Sequence, residues 1–222
     1  ELVVRATANP RGVSYLKLGM SWDQDSNGNS EFGLRASWRQ RGLNRLGGEW
    51  YTYGQIGGNS NFGTEFYQPL DAERRFFLEP KLSYFSSPLY IYQDNQRIAE
   101  SSVDQTSLDL MAGVNVGLWG PVSVGWAERY RSAEVATGSP MLPAGSEHFG
   151  GFLAKLDFDQ FDRLYDPTHG WAAHGSYFYA AGDGYDKADL DLRATDNFGD
   201  YILHGRIRGA GSFTGSLPFY DP

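Results

Sequence analysis

Cysteine is absent from all 222 residues. That excludes a disulfide scaffold and thiolate metal sites, and argues against thiol catalysis. Long apolar runs are missing too: none approaches the roughly 18 residues that a membrane-spanning helix needs. The mean hydropathy of -0.47 is too polar for a bundle of such helices. Basic charge is outweighed, with 19 Lys and Arg against 27 Asp and Glu and a net charge of -8. Binding nucleic acid takes a basic face that neutralises phosphates, so no such partner is expected. The opening Glu1-Leu2-Val3-Val4-Arg5 lacks the basic and apolar regions of a signal peptide. Residue 1 is therefore expected to follow a removed signal or to lie inside a longer protein.

What is present is alternation. Helical periodicity is hard to find, while apolar and polar residues alternate along almost the whole chain, as in strands with two unlike faces. Leu16, Leu18, Met20 and Trp22 alternate with Lys17, Gly19 and Ser21, and Phe32 to Trp38 repeats the design. Phe76, Leu78, Pro80, Leu82 and Tyr84 alternate with Glu79, Lys81 and Ser83. Similar runs cover Leu108–Val116, Asp189–Ala194 and Leu203–Arg208, giving about eleven strands, several near ten residues long. Soluble strands average roughly five to six residues, whereas a tilted membrane-spanning strand needs about nine to eleven. A soluble sandwich turns the apolar face inward and a transmembrane barrel turns it toward lipid, so alternation alone leaves both open.

Connections and aromatics favour the barrel. If the first strand rises from the inner side, the outer loops are Asp23–Ser30, Gly58–Asn61, Ser86–Gln105, Arg131–His148 and Ala181–Asp186. The inner turns are then Arg39–Gly48, Gln68–Arg75, Leu118–Pro121 and Thr195–Asp200, and the two longest connections are outer ones. Trp38, Trp50, Trp119 and Trp171 fall at inner strand ends and Trp22 at an outer end. An indole favours the headgroup level, where its body is apolar and its N–H is wet, so these five are expected to form an aromatic girdle.

Between the runs Phe152–Asp157 and Trp171–Tyr179 lies Phe161-Asp162-Arg163-Leu164-Tyr165-Asp166-Pro167-Thr168-His169-Gly170. Pro167 cannot donate to a strand ladder and Gly170 tolerates positive φ, so this is a turn. It is longer than an ordinary hairpin turn and carries the Asp162–Arg163 charge pair, which suggests a shape specified for assembly or docking. The segment resembles the strand-connecting signature of the bacterial surface antigen barrels, the outer-membrane superfamily that includes BamA and TamA. The family pattern, D-R-x-x-x-P-T-x-G, is matched by Asp162, Arg163, Pro167, Thr168 and Gly170, with Tyr165 inside the turn.

The resemblance implies an all-β antiparallel transmembrane β-barrel of about sixteen strands. The chain would supply the first eleven or so and stop before the V-R-G-F/Y loop motif and the terminal aromatic strand. Glu1–Ala6 looks like the last strand of a POTRA domain. Residues 1–12 are thus expected to be the POTRA end and linker, and residues 13–222 the N-terminal part of the barrel. Leu46–Trp50 and Glu65–Leu70 resemble the branch whose barrel follows a patatin-like lipase domain. Implied partners are outer-membrane lipids, the barrel-assembly machinery for its own insertion, and a polypeptide client or attached lipase domain. Implied location is the outer membrane of a Gram-negative bacterium, with no cofactor, no metal and no catalysis in this chain. The implied mechanism uses a weak seam between first and last strands, which Gly19 and Ser21 would leave poorly packed.

Catalytic and metal patterns are weak. Asp23-Gln24-Asp25-Ser26-Asn27-Gly28 opens like a calcium loop, but its twelfth position is Leu34, inside the next strand. A lipase elbow of the G-x-S-x-G type is absent, and Gly211-Ser212-Phe213-Thr214-Gly215 has the wrong spacing. His148, His169, His174 and His204 lack zinc-site spacing, and His174 and His204 are expected on a polar sheet face. Asp157 and Asp159 share a face, and structural hydrogen bonding near the turn is their expected role. Lys17, Arg35, Lys81, Lys155, Arg193, Arg206 and Arg208 interleave with Asp109, Asp157, Asp189 and Asp191, as in a hydrated, salt-bridged lumen. Two rival readings are a soluble glycan-binding sandwich or propeller, and a barrel enzyme using Asp94, Glu147 and His148.

Overall fold

The computed structural model describes residues 13–24, 30–93, 96–137, 145–182 and 185–215. They form one antiparallel sheet in which every strand pairs with its sequence neighbours, in the order β1 to β11. The strands are β1 (Ser14–Gln24), β2 (Ser30–Gln40), β3 (Glu49–Gly57), β4 (Ser60–Pro69), β5 (Phe76–Gln93), β6 (Gln96–Asn115), β7 (Pro121–Thr137), β8 (Gly145–Asp159), β9 (Gly170–Ala180), β10 (Asp186–Phe198) and β11 (Tyr201–Gly211). The sheet is open, with β1 and β11 as its edges. A sandwich needs a second sheet and a propeller needs radial blades. The described residues show neither.

Two-residue alternation fixes which face each side chain takes. On β5, Phe76, Leu78, Leu82 and Tyr84 are exposed on one face, while Phe77 is buried and Glu79 and Lys81 are half-buried on the other. The register Lys81↔Asp109 and Leu82↔Leu108 carries the same division into β6. Side chains of the charged face reach past their immediate neighbours. Lys155 Nζ of β8 meets Asp109 Oδ2 of β6 at 3.0 Å, and Asn115 Nδ2 of β6 donates to Tyr67 Oη of β4 at 3.0 Å. Such contacts two strands apart require the sheet to curl toward that face, which is therefore concave, leaving the apolar face convex. Phe76 to Tyr84 covers about 27 Å along the strand, or roughly 20 Å along the normal at the usual barrel tilt, close to the height of a lipid-facing band.

Two expectations about connections are corrected. Ser86–Gln105 is not a loop: β5 and β6 remain paired from Phe76↔Val114 out to Gln93↔Gln96. Arg131–His148 is likewise paired from both sides, β7 running to Thr137 and β8 starting at Gly145. The resulting strands of 18, 20 and 17 residues exceed the spanning length. At about 3.3 Å per residue they project as paired hairpins beyond it. These projecting ends are termed outer, and the opposite turns inner. The expected POTRA end at residues 1–12, Asp25 to Gly28 of the calcium-like loop, and Asp94 lie outside the described residues.

Candidate functional site

The inner turn between β8 and β9 is built around one carboxylate. Asp162 Oδ1 accepts the backbone N–H groups of Thr168 (2.9 Å) and His169 (3.1 Å), and Oδ2 accepts the Thr168 hydroxyl (2.7 Å). The Asp162 N–H returns a bond to the His169 carbonyl at 3.1 Å, so residues 163–167 form a closed lobe. These donors, the Thr168 hydroxyl foremost, hold the Asp162 carboxyl at about 2, below its ordinary 3.8. Gly170 has φ 120°, and a Cβ there would lie 2.2 Å from the Gln160 carbonyl oxygen. Only glycine brings the two strand ends this close.

The Asp162–Arg163 charge pair is not what specifies the turn. Arg163 Nε stands 3.7 Å from Asp162 Oδ2 and its side chain is 64% exposed. An ion pair that loose and wet contributes little. Tyr165 is 84% exposed at the tip of the lobe. Arg163, Leu164 and Pro167 instead lean over the concave face, where with His174, Arg193 and His204 they line a cleft of about 510 Å³. Gln160 Nε2 ties the turn to its neighbour by donating to the Leu118 carbonyl at 2.7 Å.

The concave face is charged but largely self-neutralised. Asp109 receives Arg129 and Lys155. Asp191 is gripped by two guanidiniums, Arg193 Nη2 at 2.7 Å and Arg206 Nη2 at 2.6 Å. His174 Nδ1 meets Asp157 at 2.8 Å, and His204 Nδ1 shares a hydrogen with the Thr195 hydroxyl at 3.0 Å. Asp159 does not pair with Asp157; it accepts the Phe161 N–H at 3.0 Å as the chain enters the turn. Both carboxylates thus serve structure, as does Glu49, which sits within 3.7 Å of Arg39, Arg41 and Arg74. Among the described residues, no group of three acidic, His or Cys side chains is placed to hold a metal.

On the convex face, the five expected tryptophans stand at strand ends. Trp38 and Trp50, two residues or fewer from the inner ends of β2 and β3, donate their indole N–H groups to Ser14 Oγ (2.9 Å) and Thr64 Oγ1 (2.7 Å). Trp119 packs edge-on against Phe158 and Trp171, with ring centroids 5.9 Å from each. Trp22, near the outer end of β1, is exposed beside Phe32, its partner in register.

Three features escaped the sequence reading. Trp126 is mid-strand on β7, donating to Glu128 Oε1 at 2.6 Å, and Glu128 in turn meets His148 Nε2 at 3.0 Å. That engagement of His148 is a convex-surface contact far from the concave cleft. Asp186 is fully buried at the outer end and accepts the N–H groups of Phe213 and Thr214 (both 2.8 Å), the Ser212 hydroxyl (3.0 Å) and the Tyr177 hydroxyl (2.9 Å). As the first residue of β10, it latches the chain leaving β11 onto that strand. The Gly211–Gly215 stretch, which fails as a lipase elbow, is the strand's exit clasp. An aromatic knot of Phe149, Phe178 and Tyr185, with Arg131 5.3 Å above the Phe149 ring, closes the same end.

No family model matches the chain, and no curated protein matches it in sequence. Among solved structures it is similar to the crystal structure of BamA from Haemophilus ducreyi lacking POTRA domains 1–3, with a TM-score of 0.67 over 92% of this chain at 11% identity. The fold is that of a BamA-type barrel wall. This chain spans 42% of the length of that BamA chain, in keeping with an open sheet rather than a closed barrel.

Proposed function

We propose that this chain is the wall of a Gram-negative outer-membrane β-barrel of the bacterial surface antigen type, which inserts, translocates or anchors polypeptide and is not itself an enzyme. The observation that carries the reading is the inversion of faces in a BamA-type sheet: apolar side chains on the convex face and ion pairs on the concave one. An unclosed edge in lipid leaves backbone groups unsatisfied, so the sheet functions only when closed by further strands. The resemblance places the seam at β1, where Gly19 and Ser21 offer little side chain to pack against a partner strand.

Within this reading, the bilayer and the barrel-assembly machinery are the standing partners. The resemblance of Leu46–Trp50 and Glu65–Leu70 to the patatin branch supports a lipase domain as the anchored cargo. The test is fractionation of the full-length protein in a Gram-negative host, with gel mobility read before and after boiling. Recovery in the outer membrane with heat-modifiable mobility is the expected result. A water-soluble monomer without detergent would overturn the reading.

A further inference from the structure

On the convex face near the inner end, three neighbouring strands step down in side-chain size. Trp171 of β9 lies beside Ala194 of β10, and Ala194 lies beside Gly205 of β11. The result is a groove of about 380 Å³ floored by Ala194 and Gly205, with Trp171, Phe198 and Leu203 as walls. That volume falls in the range of about 300–1,000 Å³ typical of small-ligand sites. Among the described residues nothing fills the floor: a Cβ on Gly205 would meet the Ala194 carbonyl oxygen, at 4.0 Å, and no other atom of them. At one end stands a polar pair, His169 Nδ1 and Asp196 Oδ1, 3.0 Å apart and both exposed.

We infer that this groove binds one glycerophospholipid, with an acyl chain along Ala194 and Gly205 and the headgroup at His169 and Asp196. The inference rests on the barrel reading, because the groove is continuous with the apolar convex face and lies at the level of Trp171 and Trp119. The chemistry of the rim matches a phosphodiester carrying a donor beyond it. On binding, the His169 Nδ1–H turns from Asp196 to a phosphate oxygen, which frees the Asp196 carboxylate to accept from an ammonium or hydroxyl.

The test uses the full-length protein, folded in detergent, equilibrated with phosphatidylethanolamine and examined by native mass spectrometry. The protein is expected to retain one phospholipid. Gly205→Phe, which fills the floor, and Asp196→Ala, which removes the headgroup acceptor, should each lower the lipid-bound fraction several-fold. Gly209→Phe, on the same face of the same strand but above the groove, should leave it unchanged. Should Gly205→Phe fail to fold, Asp196→Ala decides. An unchanged fraction in the decisive variant, or an equal loss in Gly209→Phe, overturns the inference. Boiling-dependent mobility is read on the same samples. A chain that stays soluble without detergent overturns the barrel reading, whereas a detergent-folded chain that retains no lipid overturns the groove alone.

Discussion

Thr168 meets Asp162 twice, through its backbone N–H at 2.9 Å and its hydroxyl at 2.7 Å, on different oxygens of one carboxylate. A single threonine thereby fixes both the path of the chain and the rotamer of the acid that holds it. The neighbouring Arg163 takes no comparable part.

Replacing Asp162 with Ala should lower the yield of folded, heat-modifiable protein, with Asp162→Asn intermediate because it keeps an acceptor for the two N–H groups. Arg163→Ala should fold at the native yield. Equal defects in Asp162→Ala and Arg163→Ala would restore the charge pair as the specifying element.

The Asp162 carboxyl is held at about 2, against 3.8 when free. A depressed value means that the turn's stabilisation is fully present above the free value and is lost as pH falls toward the held one. The Leu164–Tyr165 lobe should therefore stay intact above pH 4 and open to an acid-active protease as pH approaches 2. Asp162→Ala should be cut across that whole range. Cleavage of both proteins with the same pH profile would show that the carboxylate does not govern the lobe.

At Gly170, alanine would need φ near 120° with its Cβ against the Gln160 carbonyl. Backbone strain of this kind costs on the order of 1–3 kcal/mol. Urea unfolding in lipid vesicles should show a lowered midpoint for Gly170→Ala. The same change at Gly199, where φ is 64° and no described atom lies within 4 Å of the Cβ site, should cost less.

Asp109 is 8% exposed in its side chain and faces two cations. Removing one partner of a fully buried ion pair typically costs about 3–5 kcal/mol; the cations left here keep some access to water, Arg129 at 17% and Lys155 at 37% exposed, so the cost should fall below that. Asp109→Ala should be among the most destabilising single changes on the concave face. Adding Lys155→Met and Arg129→Met should recover much of the loss, by the same vesicle assay.

The strand count and the division of faces were legible because period-two alternation is a local property that lipid or core enforces equally. Asp162, Thr168 and Gly170 were legible as a specified turn, since proline and glycine punctuate the chain whatever surrounds them. The work each residue does there was not: Arg163 looked like the partner by adjacency, whereas the partner lay six residues on. Ser86–Gln105 and Arg131–His148 read as loops because their apolar residues do not alternate with polar ones as those of the other strands do. Asp186 was invisible for a different reason: its donors at residues 212–214 come from the far end of the next hairpin. The groove at Ala194 and Gly205 depends on lateral register across three strands, which no single strand encodes.

The in-order pairing of β1 through β11 has a kinetic meaning. Each added strand needs only the short loop closure of one hairpin, so the sheet can grow by zipping from any established pair. No described strand waits for a distant segment to find it. Among the described strands the outer edges of β1 and β11 are left unpaired, so the growing wall carries a receptive edge at each side until it is covered.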